Sequence, residues 1–106
     1  MCDLSTLQQL REQRFFSNWD EFLARERIDA SESIIRQLID ELLAAGSQLT
    51  ELTARQIVHE CVQRFNKIDD GWICTIERED IYEEVGRIID ACGFTCEEDW
   101  LSGRDW

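Results

Sequence analysis

Not one proline interrupts the 106 residues of this chain, and only five glycines do. Sandwiches and barrels turn often and use both residues to do so. A chain poor in both therefore points to helices with few connections. The length suits one hydrophobic core rather than two. An apolar share of 43% is ordinary for a globular protein and argues against disorder of the whole chain.

Apolar residues recur at helical spacing in four segments. The first runs from about Leu4 to Arg27, where Phe15, Trp19, Phe22 and Leu23 form one stripe. Leu4 and Leu7 lie on an earlier stripe that does not join it. Ser17 or Asn18, followed by Asp20 and Glu21, can cap a new start, so a break is expected near Phe16. Capping candidates between Ile28 and Ser33 precede the second segment, in which Ile34, Ile35, Leu38, Ile39, Leu42 and Leu43 make a wide apolar face ended by Gly46. In the third, Thr53 and Gln56 fit a capping box and Leu52 with Ile57 a hydrophobic staple. Its inner face is Ile57, Val58, Cys61, Val62, Phe65 and Ile68. The fourth starts after Thr75, with Glu77, Glu79 and Asp80 where the helix dipole favours acids. Ile81, Val85, Ile88, Ile89 and Cys92 follow, and Gly93 is the expected stop. Residues 95–106 form an acidic tail with two tryptophans and no period. The expected fold is all-α: a single-domain bundle of four main helices spanning residues 1–106.

Charge is heavily and unevenly acidic. Eleven basic residues face 23 acidic ones, a net of −12. Residues 1–68 hold eight basic and eleven acidic groups, a net of −3, whereas residues 69–106 hold three and twelve, a net of −9. Such a field repels nucleic acid and attracts basic protein surfaces. No run of about 18 apolar residues suggests a membrane span. The opening residues are too polar for a signal peptide, so a cytoplasmic protein is expected, its five cysteines reduced.

Between the third and fourth segments the chain imitates a calcium loop. With Gly71 at position 6, the ligand positions fall on Asn66, Ile68, Asp70, Trp72, Cys74 and Glu77. Trp72 would use its carbonyl, and Ile73 suits the usual apolar position. Ile68 removes the third ligand, and only Asp70 and Glu77 remain as carboxylates, too little charge for a hard cation. The stretch therefore reads as a corner, turned at Asp69-Asp70-Gly71. A cysteine–histidine zinc site needs close ligand pairs, but His59 and Cys61 point to different helix faces, and Cys61 and Cys92 fall on apolar stripes. No nucleophile–base pair, phosphate loop or dinucleotide fingerprint stands out. Neither an enzyme nor a cofactor is expected.

A binding role fits the corner better. Ile73 and Ile76 can pack under the bundle and leave Trp72 partly exposed, rimmed by Asp69, Asp70, Glu77, Glu79 and Asp80. An aromatic among acids suits an anchor for a basic partner. Trp100, beside Glu97, Glu98 and Asp99, offers a second such group, unless the tail folds back over the open end of the bundle.

Phe65-Asn66, the stretch Ile73-Cys74-Thr75-Ile76-Glu77-Arg78-Glu79, and the helix from Ile81 to Gly93 together resemble a family of small acidic bacterial helical proteins of poorly known function, similar to immunity proteins. The resemblance covers residues 53–94. It implies a helical domain of poorly known function, like the immunity proteins that neutralise a toxin, and supplies no known catalytic residues. The function expected is a non-enzymatic inhibitor or immunity-type protein whose acidic, aromatic-containing face binds a basic partner. A degenerate EF-hand-like or Cys/His metal module, and a structural subunit such as a homodimer, are the alternatives.

Overall fold

The computed structural model describes residues 4–12, 15, 16, 19, 23–69, 71–101, 103 and 106. Four helices carry the fold: α1 (Leu4–Arg11), α2 (Arg25–Ala45), α3 (Glu51–Ile68) and α4 (Thr75–Ala91). Short 3-10 turns follow α2 at Gly46–Gln48 and α4 at Glu98–Leu101. No strand occurs among the described residues. Helix α2 is central, packing against α1, α3 and α4, while α1 also meets α4 and the Glu98–Leu101 turn lies on α3. The radius of gyration, 13.2 Å, is that of one compact body. An all-α single-domain bundle is therefore the fold.

Helix α1 ends far sooner than its apolar spacing suggests. It stops at Arg11, and beyond it Phe16 adopts a left-handed backbone conformation with φ of 60°. A bulky residue there is strained by about 1–3 kcal/mol, so its surroundings must hold it. Phe16 stacks on Trp19 with centroids 4.1 Å apart, and Phe15, Phe16 and Trp19 are all buried. The buried Glu32 carboxylate accepts the Phe15 backbone N–H at 3.1 Å and pairs with Arg36 at 3.3 Å. Three aromatic side chains thus enter the core through a turn that a straight helix would forbid. Phe22, Ser17 and Asn18 lie outside the described residues.

Helix α2 begins at Arg25, so Ile28 to Ser33 lie within it rather than before it. Burying Ile28 completely rewards the extra turns. Two of the expected caps serve the helix interior instead: Asp29 pairs with Arg25 at 3.2 Å, and the Ser31 hydroxyl donates to the Arg27 carbonyl at 2.8 Å. Helix α3 likewise starts early. Thr50 is its N-cap, its hydroxyl accepting the Thr53 N–H at 3.2 Å. The expected staple residue Leu52 therefore faces solvent, 68% exposed.

The core takes most of the apolar stripes as spaced. Ile34, Ile35, Leu38, Ile39 and Leu42 of α2 are buried with Val58, Cys61, Val62 and Phe65 of α3 and Ile81, Val85, Ile88 and Ile89 of α4. Helix α4 ends at Ala91, and Gly93 takes a φ of 89°. The Gly93 and Phe94 N–H groups return to the Asp90 and Ile89 carbonyls at 2.9 and 3.2 Å, a Schellman closure that needs a residue tolerant of that φ.

Candidate functional site

The α3–α4 corner is held by the side chains that could have served a ligand. The Asp69 carboxylate accepts the Gly71 and Ile73 N–H groups at 3.0 and 3.2 Å, closing the turn on itself. Glu77 is 5% exposed and accepts the Cys74 N–H at 2.8 Å, a capping box at the start of α4. Asn66 donates to the Gly103 carbonyl at 3.0 Å, and the Ile68 carbonyl accepts the Trp72 indole N–H at 2.9 Å. Asp70 lies outside the described residues. Among the described residues, no group of three or more histidine, cysteine, aspartate or glutamate side chains could hold a metal ion.

Trp72 is buried, which corrects its expected part-exposure. Its ring meets Trp19 edge to face at 6.1 Å and lies under the Arg27 guanidinium at 5.5 Å. The Trp19 indole in turn donates to Asp80 at 2.8 Å. An aromatic with this much local apolar company gains more from the core than from solvent. The roles of the two isoleucines diverge: Ile73 is buried, whereas Ile76 is 58% exposed on the first turn of α4. Trp100 is buried too, so neither tryptophan is a surface anchor.

The tail folds back, as one of its two readings expected. Trp100, Leu101 and Trp106 are all buried, Trp106 edge-on to Phe65 at 5.8 Å. Arg55 of α3 lies over the Trp100 ring at 4.6 Å and pairs with Asp99 at 3.0 Å.

Of the expected site residues among those described, only Glu79 is exposed. It belongs instead to the outer face of α4, with Ile76, Glu83, Arg87 and Asp90. Positions 79, 83 and 90 stack on that face at helical spacing. Among the described residues no ion pair engages Glu79, Glu83 or Asp90, whereas Arg87 is held by Glu84 at 2.9 Å. The sequence carried the signal for this face: a polar stripe between the buried positions of α4.

The thiols divide by environment. Cys61 and Cys92 are buried and Cys74 is exposed. Burial pushes the Cys61 thiol up to about 12, with Arg64 opposing and Glu41 adding to it. Burial first, and then Asp99, raises the Cys96 thiol above its ordinary value. Neither is a ready nucleophile.

Comparison with known protein families, with curated proteins and with solved structures finds no match to this chain.

Proposed function

We propose that this protein is a non-enzymatic binding module of the inhibitor or immunity type, which docks a basic protein through the outer face of α4. The observation that carries the reading is one exposed aliphatic group, Ile76, at the end of a row of acids, Glu79, Glu83 and Asp90, that make no ion pair among the described residues. The acids steer a cationic surface from a distance, and Ile76 supplies apolar area once it arrives. Asp69, Glu77 and Asp80, committed to the fold, contribute field rather than contacts. The basic partner is a protein of the kind an immunity protein neutralises, a toxin with a cationic substrate groove.

A photo-crosslinking side chain at position 79, in cells that produce the chain naturally, tests the reading. A basic protein captured there is expected, with capture lost in the Glu83→Gln/Asp90→Asn variant and on raising salt. Equal capture from an exposed position on α3, such as Glu60, or an acidic captured protein, would overturn it.

A further inference from the structure

The tail of this chain lies against α3. Among the described residues, no backbone–backbone hydrogen bond ties residues 97–106 to the helices; the Trp100 N–H returns to Glu97 within the segment. What holds the segment is side-chain recognition: Trp100 under Arg55, Asp99 on Arg55, Trp106 against Phe65, and Asn66 on the Gly103 carbonyl. Peptides docked by partner domains are held in this way, by anchors in pockets rather than by shared secondary structure.

Charge complements this geometry. Helix α3 carries Arg55, Arg64 and Lys67 against Glu51 and Glu60, while α4 carries six acids against two arginines. The acidic segment thus lies on the more basic of the two long helices that flank α2. Gly103 fits closely: with φ of 90°, a Cβ there would lie 3.4 Å from both Gln63 Nε2 and His59 Cε1. The fit is also incomplete, because the Trp100 indole nitrogen is buried without a hydrogen-bond partner. A buried donor left unmade weakens the docked state relative to the released one, in which water satisfies it.

We propose that the α3 face beneath residues 97–106 is a receptor groove for an acidic segment with a tryptophan–leucine pair on one 3-10 turn, and that a partner protein carrying such a segment displaces the chain's own. The proposal is independent of the α4 face, which attracts the opposite charge. It gives the domain a second interaction surface, closed until a competing segment arrives.

The test uses the full chain carrying Trp100→Ala, titrated with a synthetic peptide of residues 95–106. Amide resonances of Arg55, Val58 and Val62 report on the groove, and the melting temperature reports on docking. The peptide is expected to return those resonances to their positions in the unaltered chain and to raise the melting temperature. A peptide with Gly103→Ala, and one with the same residues shuffled, should bind at least tenfold more weakly. Affinity for the unaltered chain should be lower again, by about 100-fold, because the tethered segment competes at an effective concentration in the millimolar range. A folded variant that ignores the peptide, or that binds the shuffled peptide equally well, overturns the proposal. Should the variant not fold, the unaltered chain is titrated to millimolar peptide: shifts confined to α3 support the groove, and none there overturns it.

Discussion

Replacing Glu77 with alanine separates two roles that its position invites, ion ligand and helix cap. The carboxylate is 5% exposed and accepts the Cys74 N–H at 2.8 Å in the first turn of α4. A hydrogen bond to a charged group contributes about 1.5–3 kcal/mol, since its loss also strands the partner. Removing an acid from the helix N-terminus costs about 0.3–1 kcal/mol more. Glu77→Ala should therefore lose roughly 2–4 kcal/mol, a large share of a small domain's stability. Urea unfolding followed by far-ultraviolet circular dichroism at pH 7 measures it, with an unchanged slope as the sign that only stability moved. Glu77→Gln, which keeps an acceptor, should lose distinctly less, and Glu79→Ala on the exposed face should stay within about 0.5 kcal/mol. An unaltered Glu77→Ala midpoint would refute the cap. So would a rise in the wild-type midpoint with calcium that Glu77→Gln abolishes.

Asp80→Ala strands the indole N–H of Trp19 and should destabilise by about 1–3 kcal/mol, read in the same titration. Gly86→Ala should stabilise by about 0.5–1 kcal/mol, because an added Cβ meets nothing within 4 Å and the helix interior disfavours glycine; a lower melting temperature would contradict it. Burial raises the Glu84 carboxyl above its ordinary value, so the folded state holds that proton more tightly than the unfolded chain. The stability this confers is present below roughly pH 4 and lost as pH rises through the folded-state value. Glu84→Gln should accordingly stabilise the protein at pH 7 and lose that advantage in acid, as paired unfolding curves would show. Iodoacetamide at pH 8 should label Cys74 well before Cys96 and leave Cys61 and Cys92 unmodified until the chain unfolds, a pattern peptide mass analysis resolves.

The helices and their inward faces were legible because burial and periodicity are the same information. Ile35, Leu38, Ile39, Ile81 and Ile88 are buried at the spacing their positions predicted. Helix beginnings were not, because Asp, Ser and Thr serve equally well as caps, as ion-pair partners and as hydrogen-bond donors inside a helix. Asp29 and Ser31 chose the latter roles once burial of Ile28 drew the helix forward. The abrupt end of α1 depends on Glu32, 17 residues away from the Phe15 amide it accepts, and no local signal announces such a contact. The misplaced aromatic anchor has the same origin. Whether Trp72 faces solvent depends on Trp19 and Arg27, which arrive from a distant part of the chain. Acidic residues mislead in a related way: Asp69 and Glu77 spend their oxygens on backbone N–H groups of the corner, and Asp80 on the indole of Trp19.

The bond between Trp19 and Asp80 joins positions 61 residues apart, and it fixes the order in which the molecule can be completed. The α2–α3 pair closes through a short connection and can form from local encounters, which are fast. The turn after α1 meets α2 first, where Glu32 accepts the Phe15 N–H, and the Trp19 indole gains its acceptor only when α4 arrives. Until then a growing chain presents Trp19 without its Asp80 acceptor and without the Trp72 ring it meets edge to face. The contact of the aromatic turn with α4 therefore comes after the α2–α3 pairing in a growing chain, and the interval between them is when a nascent chain most needs protection from its neighbours.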